Sequence, residues 1–245
     1  MQRKCAFVVT IVFLFIGGIS LSFNNIHSTK IIAVTATKIK QNVSVYDSLN
    51  LSELGLSKQA FTAALKGYQS LVTIGKVKND SIISIIDFSL PSTAKRLFVI
   101  NIKNYSILFN TYVSHGKNSG TQSATSFSNK SQSFKSSLGF YVTSATYFGK
   151  HGYSLKLEGE EKGFNDNAYN RGIVMHSATY VSEDFIKTEG RIGRSEGCPA
   201  IPEEENNAII ETIKEGSCLF MYAPNSKYLT KSKLLHQKNL GSSNS

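Results

Sequence analysis

The chain has 245 residues, of which 41% are hydrophobic and 18% are charged. This length allows one catalytic domain with terminal segments rather than two large domains, and the composition excludes a chain that is disordered throughout. The net charge of +10 is compatible with a nucleic acid, an anionic membrane or an anionic wall polymer as partner. Nucleic-acid binding is not expected, because the sequence has no CxxC or C2H2 spacing and no basic motif interleaved with aromatic residues.

The first residues have the pattern of an export signal. A basic stretch over residues 1–4 precedes an apolar run over residues 5–19, which is the order of a secretory signal peptide. The run is shorter than the roughly 20 residues of a membrane-spanning helix, so a cleaved signal is favoured over a retained anchor. We therefore expect an exported protein with a signal peptide and tether over residues 1–36, which would touch a membrane only if this segment stays uncleaved.

One helix precedes the rest of the chain. Ser57 is a suitable N-cap, and apolar side chains then recur at helical spacing, at Phe61, Ala64, Leu65, Tyr68 and Leu71. This pattern predicts a small helical prelude over residues 45–80.

From residue 81 the pattern changes to short β-rich runs separated by turns rich in Gly, Ser and Asn. The runs cover residues 81–88, 96–101, 105–114, 138–145, 154–157, 172–176 and 217–222. They predict a mainly β domain over residues 81–224, interrupted by one helix that begins near Pro202 and ends before Gly216. The polar residues 225–245 are expected to form a loose tail.

Two cysteines remain after the export segment, and an exported protein invites the interpretation that they form a disulfide. Their surroundings differ, however. Cys218 lies in an apolar run typical of a core strand, whereas Cys198 lies in a polar turn, Gly193-Arg194-Ser195-Glu196-Gly197-Cys198-Pro199. The alternative is therefore that Cys218 is structural and Cys198 is reactive.

The most informative stretch contains a histidine and this cysteine. The predicted strand 172–176 ends at His176, and Cys198 follows 22 residues later (198 minus 176). Thiol acyl transfer needs such a base and nucleophile, provided that the fold brings them together. Gly197 would let the backbone approach a substrate, and the turn could aim successive backbone N–H groups, near Gly197 and Cys198, at an oxyanion. A protonated His176, with Arg194 and Arg191, could lower the thiol pKa below about 8.5, while Glu196 could raise it. The competing interpretation is a buried turn cysteine beside a core histidine.

Several further stretches accompany this pair and together resemble one family. They include Ser92-Thr93-Ala94-Lys95-Arg96-Leu97, Ser114-His115-Gly116-Lys117, Gly149-Lys150-His151-Gly152, Asn165-Asp166-Asn167-Ala168 and Gly190-Arg191-Ile192-Gly193-Arg194-Ser195. With the Ser-x-Gly-Cys motif at 195–198, the chain resembles the murein L,D-transpeptidase catalytic-domain family from about residue 45 to residue 222.

The resemblance implies a mainly β, β-sandwich-like catalytic domain in the bacterial periplasm or cell envelope, with peptidoglycan stem peptides as its partner and no metal or cofactor. Cys198 would attack the stem at its third residue, release the terminal D-Ala and pass the acyl group to an amine of a neighbouring stem. If water accepts the acyl group, the same site is an L,D-carboxypeptidase. A non-catalytic peptidoglycan-binding module and a thiol peptidase or amidase on another fold are the alternatives. The oligomeric state is not predicted.

The sequence departs from the wider family pattern at three positions. Ser177 replaces the glycine after the strand histidine, Glu196 replaces a histidine, and Ala200 replaces the arginine two residues after the cysteine. The resemblance places His176, Ser195, Gly197 and Cys198 among the catalytic residues. Arg191 or Arg194 would then have to hold the donor carboxylate, with Ser177 and His115 also in the substrate site. For both His115 and His151, however, a hydrogen-bonded turn histidine is the favoured interpretation, and a place in the cleft is the alternative.

Overall fold

A computed structural model of the protein describes residues 45–237. The predicted signal peptide and tether lie outside the described residues. No helix within 45–237 has the length and apolar character needed to span a membrane.

The first long helix, α1 (Lys58–Thr73), begins as the sequence predicts. The Ser57 hydroxyl accepts a hydrogen bond from the Ala60 N–H at 3.1 Å, which satisfies one of the free donors at the helix start. Its apolar face, which includes Phe61 and Leu71, is fully buried in the same hydrophobic core as the strands. The predicted helical prelude therefore packs against the strands that follow it.

Eight strands form the sheet on which the domain is built, and the predicted mainly β fold class is confirmed. They are β1 (Ile82–Asp87), β2 (Leu97–Asn101), β3 (Ser106–Thr111), β4 (Gly139–Gly149), β5 (Gly152–Gly159), β6 (Val174–Ser177), β7 (Ala200–Ile201) and β8 (Cys218–Tyr222). The strands join in one sheet in the order β3-β2-β1-β8-β4-β5-β6-β7. The pairs β1–β8 and β6–β7 are parallel and the others are antiparallel.

Each of the seven predicted β-rich runs overlaps one observed strand, and the predicted late helix is α3 (Glu203–Ile213). Before residue 225, two elements were not predicted. Helix α2 (Glu183–Glu189) has no buried residue, so it lacks the apolar periodicity that marks a helix in a sequence. Strand β7 has two residues, which is too short for an alternating pattern.

The predicted loose tail is wrong for its first part. Asn225 caps a short helix, α4 (Ser226–Lys231), which is followed by α5 (Lys233–His236). These helices bury Tyr228, Leu234 and Leu235, and the Tyr228 hydroxyl donates a hydrogen bond to the buried carboxylate of Glu161 at 2.7 Å. The apolar side chains are too widely spaced to form a recognisable run, but they are enough to close one end of the core. Residues 238–245 lie outside the described part.

The packing of α1 on the sheet can be tested at Gly67. A Cβ atom there would overlap the ring of Phe140, which stacks on Phe220 with 4.1 Å between ring centroids. We expect Gly67→Ala to lower the free energy of unfolding by about 1–3 kcal/mol, the usual range for overpacking a core. Urea denaturation measures the change, with the exposed neighbour variant Lys66→Ala as the control. An unchanged stability in Gly67→Ala would contradict the close contact between α1 and β4.

Candidate active site

The parallel pairing of β6 and β7 brings the predicted nucleophile and base to adjoining strands. His176 pairs with Ala200, and Ser177 pairs with Ile201. Cys198 precedes Ala200 by two residues, so it lies level with Val174, two residues before His176 on β6. The Cys198 thiol is 3.6 Å from the carbonyl oxygen of Gly172 and accepts a hydrogen bond from the Val174 N–H. The fold thus closes the gap of 22 residues that separates the pair in the sequence.

The turn that carries Cys198 is held by hydroxyl groups. The Ser195 Oγ donates to the Cys198 carbonyl at 2.6 Å and accepts from the Gly197 N–H at 3.1 Å. Ser114 supports the next residues, because its Oγ accepts from the Ala200 N–H at 3.1 Å. The structure therefore places Ser195 beneath the nucleophile, as a buried residue that holds the turn.

Gly197 also differs from its predicted role. It has a positive φ of 127°, and a Cβ atom there would lie 2.9 Å from the Lys135 carbonyl and 3.1 Å from the Arg171 guanidinium, so this position favours glycine. Its N–H donates to the Ser195 Oγ, so of the successive N–H groups predicted to hold an oxyanion, that of Gly197 is already engaged. Within residues 45–237, the adjacent Cys198 N–H donates to no protein acceptor, which makes it the better oxyanion donor.

His176 is buried and its ring orientation is defined by one hydrogen bond. Its Nδ1 lies 2.8 Å from the Ser177 carbonyl, so we assign the proton to Nδ1 and leave Nε2 as the acceptor. Burial lowers the pKa of His176, and the nearby His151, whose ring stacks on it at 4.3 Å between centroids, lowers it further. A neutral histidine with a free Nε2 suits a general base at neutral pH. Ser177, predicted to bind substrate, contributes its carbonyl to this orientation.

Arg171 is a site residue that the sequence analysis missed. Its guanidinium donates to the carbonyls of Ser128 at 2.9 Å and Lys135 at 2.7 Å, and to the Ser137 hydroxyl. It also acts on the Cys198 thiol, whose pKa it lowers. The only sequence signal is a single basic residue directly before a buried strand, which does not distinguish Arg171 from other basic residues.

Burial has a larger effect on the pKa of the Cys198 thiol than the Arg171 charge has. Desolvation raises the pKa of Cys198, and this outweighs the Val174 N–H and the Arg171 charge, which lower it. The predicted lowering of the thiol pKa is therefore wrong. The resting pair is a thiol beside a neutral imidazole, so the proton has to move to His176 when a substrate is attacked.

The two arginines expected near the thiolate lie elsewhere. Arg194 donates to the carbonyls of Lys117 at 3.1 Å and Gly120 at 3.2 Å, and Arg191 donates to the Ile192 carbonyl at 3.0 Å. Their charges lower the pKa of His115 and are not among the influences on Cys198. Arg171, rather than Arg191 or Arg194, is therefore the arginine that lowers the thiol pKa. That Arg191 or Arg194 holds the carboxylate of the donor stem stays a prediction.

His115 is a hydrogen-bonded structural residue, as the favoured interpretation of the sequence has it, and the alternative place in the substrate site is wrong. The side chain is fully buried, with Nδ1 2.7 Å from the Arg96 guanidinium and Nε2 3.1 Å from the Gly120 carbonyl. Both ring nitrogens are therefore engaged, and neither can reach a substrate. Burial and the Arg96 charge lower the pKa of His115 to about 4. Its backbone carbonyl nevertheless supports the site, because it accepts from the Ser195 N–H at 3.0 Å.

The second cysteine is separate from the site. Cys218 is buried in β8 and both cysteines are free, so the disulfide interpretation is wrong. Glu196, next to the nucleophile, points to solvent and forms an ion pair with the Lys117 ammonium at 2.9 Å. No cluster of three or more metal-ligating side chains occurs in the part of the chain that the structure describes.

A histidine on one strand and a cysteine in the turn before the adjoining strand, with a basic group beside the sulfur, form the kind of site that cysteine acyltransferases and peptidases use. The chain belongs to the L,D-transpeptidase catalytic domain family, whose model matches residues 52–222. This match includes α1, all eight strands, His176 and Cys198. No curated protein matches the chain.

Solved structures with weak similarity include an L,D-transpeptidase from Mycobacterium smegmatis, with 13% identity, a TM-score of 0.37, and coverage of 58% of this chain and 59% of that one. An L,D-transpeptidase from Stackebrandtia nassauensis shows 15% identity, a TM-score of 0.36 and 69% coverage of each chain. L,D-transpeptidase 1 from Mycobacterium tuberculosis shows 12% identity, a TM-score of 0.34, and coverage of 58% and 62%. The chain thus spans about three fifths of the length of the Mycobacterium smegmatis structure. The family assignment rests on the match over residues 52–222 and not on these similarities.

The influence of Glu196 on the thiol gives a first test of this electrostatic arrangement. The Glu196 carboxylate raises the pKa of Cys198, so Glu196→Gln should lower it and increase the fraction of thiolate at neutral pH. We expect iodoacetamide to alkylate Cys198 about two- to threefold faster, with the difference shrinking at high salt because the carboxylate is exposed. The matched control is Glu189→Gln, which makes the same change in net charge at the exposed end of α2. Equal rates in the two variants would show that Glu196 does not act on the thiol.

The buried state of His115 predicts a pH dependence of stability. Its pKa of about 4 in the folded protein lies below the unfolded value of 6.5, so between these values the unfolded chain binds the extra proton. The free energy of unfolding should therefore have its full value above pH 6.5 and should fall by up to about 3 kcal/mol as the pH drops towards 4. Urea denaturation at several pH values measures this loss. His115→Gln should remove this contribution to the pH dependence, whereas the exposed control His236→Gln should keep it; equally steep curves in all three proteins would contradict the assignment.

Proposed function

We propose that the protein is a cysteine-dependent L,D-transpeptidase that acts on peptidoglycan stem peptides through a thioester acyl-enzyme. The observation that carries this proposal is the position of Cys198 beside β6, the strand that carries the buried, neutral His176. Family membership supplies the reaction class. The net charge of +10 supports an anionic wall polymer as the surrounding substrate.

In the first step His176 Nε2 accepts the proton of the Cys198 thiol, and the sulfur attacks the carbonyl carbon of the third stem residue. The Arg171 charge favours the thiolate that forms, and the Cys198 N–H donates to the developing oxyanion. Collapse breaks the bond to the terminal D-Ala, whose amine leaves with the proton from His176. The product is a thioester between Cys198 and the shortened stem.

In the second step an amine of a neighbouring stem attacks the thioester carbonyl, with His176 accepting its proton and returning it to the sulfur. The product is a crosslink between third residues, and the thiol is regenerated. If water attacks instead, the product is a free tripeptide stem, and the protein is an L,D-carboxypeptidase. The N-terminal pattern of residues 1–19 supports export to the periplasm or cell envelope, where this substrate lies.

The test uses disaccharide-tetrapeptide muropeptides incubated with the wild-type protein, Cys198→Ala and the matched control Cys218→Ala. We expect a covalent adduct that has lost D-Ala and a crosslinked dimer with the wild type and with Cys218→Ala. Cys198→Ala should form no adduct and lose at least about 10³-fold in rate, because it lacks the nucleophile. Mass spectrometry follows both the adduct and the products.

The other outcomes separate the alternatives. Tripeptide without dimer would identify the protein as a carboxypeptidase with the same acyl-enzyme. Neither adduct nor product, together with equal sedimentation of the wild type and Cys198→Ala with purified peptidoglycan, would overturn the enzymatic proposal in favour of a binding module. Activity that survives in Cys198→Ala would exclude Cys198 as the nucleophile.

A further inference from the structure

A second histidine lies against His176. His151 belongs to the turn between β4 and β5, and its ring stacks on the His176 ring with 4.3 Å between centroids and 24° between planes. His151 itself is exposed, and within residues 45–237 its side chain has no hydrogen-bond partner. The stack is therefore the main contact of a side chain that would otherwise extend into solvent.

The sheet explains how this turn reaches His176. Strand β5 pairs with β6 only at Leu155 and Lys156, whereas its pairing with β4 continues to Gly149 and Gly152. The end of the β4–β5 hairpin is thus free of β6, and its turn can bend over the histidine. A hydrogen bond of 2.9 Å from the Asn206 side chain to the Tyr153 carbonyl, and one between the Tyr153 hydroxyl and Glu211, attach this end of the hairpin to α3.

The stack adds a second constraint on the His176 ring. The Nδ1–H bond to the Ser177 carbonyl fixes one edge of the ring, but a single hydrogen bond allows the ring to rotate about that contact. A flat ring packed on its face limits this rotation, so that Nε2 keeps one direction. A charged His151 also repels a charged His176 at this distance.

The titratable groups around His176 come from three elements. His151 comes from the β4–β5 turn, and Cys198 comes from the turn before β7. Helix α3 contributes Glu211, which is engaged with Tyr153 and Lys214. Of these, His151 is the one whose charge lowers the pKa of His176.

We propose that His151 is a positioning residue for His176: its ring, stacked on the His176 imidazole, fixes the plane of that imidazole so that Nε2 keeps the direction in which it accepts the Cys198 proton. The role deepens the proposed function, since it matters for the reaction only if His176 is the base. The β4–β5 turn thus gives the His176 ring a second contact, in addition to its one hydrogen bond.

Two variants separate the effect of the stacked ring from any effect of its basic nitrogens. His151→Phe keeps a flat ring on His176 and removes the charge, whereas His151→Ala removes both. His236→Phe, which makes the same substitution at an exposed histidine of α5, is the matched control. Because His151 lies in an exposed two-residue turn, all three variants are expected to fold.

The first measurement is the pKa of His176, from NMR titration of the full protein. We expect it to rise in His151→Phe and in His151→Ala, and to stay at the wild-type value in His236→Phe. The second is the pH profile of Cys198 alkylation by iodoacetamide. Because burial raises the thiol pKa, alkylation at neutral pH needs an unprotonated His176. The acid limb should therefore move to higher pH in both His151 variants, and His151→Ala should also lose about tenfold in rate on the plateau.

Neither measurement uses peptidoglycan. A wild-type protein that shows both properties but does not convert muropeptides would contradict the proposed function while leaving the role of His151 intact. An unchanged pKa of His176 and an unchanged alkylation profile in both His151 variants would overturn the role of His151, whatever the muropeptide assay shows.

Discussion

The site depends on the parallel pairing of two very short strands, β6 and β7. With two residues, β7 cannot be stable through its ladder to His176 and Ser177 alone. It is clamped from its other side by Ser114, whose N–H donates to the Ala200 carbonyl at 2.8 Å and whose hydroxyl accepts from the Ala200 N–H. The nucleophile is therefore placed by a segment 84 residues earlier in the chain, and the separation of Cys198 and His176 is set by backbone register rather than by contacts of the two side chains.

The position of Ser114 in turn depends on the buried, charged side chain of Arg96. The Arg96 guanidinium is fully buried and donates to the carbonyls of Val113 and Leu90 and to His115, which fixes the backbone on either side of Ser114. Desolvation of this charge lowers the pKa of Arg96 to about 9, against the opposing effect of Asp87. A buried guanidinium is tolerated when its donors are satisfied, and here they hold the loop that carries Ser114. The motifs Ser92 to Leu97 and Ser114 to Lys117, which are far apart in the sequence, thus act on one structure.

The local elements follow from sequence patterns, because apolar periodicity and caps are local. The N-cap at Ser57 and the helix after Pro202 lie where the residues predict them, and the strand that carries His176 begins two residues and ends one residue later than predicted. The electrostatics of the site could not be predicted in this way, because it depends on which distant groups the fold brings together. Arg194 is four residues from Cys198 in the sequence but faces other carbonyls, whereas Arg171, 27 residues away, acts on the thiol. The prediction of a loose tail was wrong for a related reason. Its few apolar residues become part of the core only because the rest of the fold provides a place in which they are buried.

The opposite shifts of the two reacting groups define the resting state. Burial raises the pKa of the Cys198 thiol and lowers the pKa of His176, so each is displaced towards its neutral form. A neutral pair differs from a preformed thiolate and imidazolium, since the thiol is then a poor nucleophile until a base accepts its proton. In this state the orientation of the base matters more than its charge, because proton transfer and attack on the carbonyl are coupled. The hydrogen bond to Ser177 and the stack of His151 are the two contacts that supply this orientation, and both come from backbone segments that the β5–β6–β7 end of the sheet brings together.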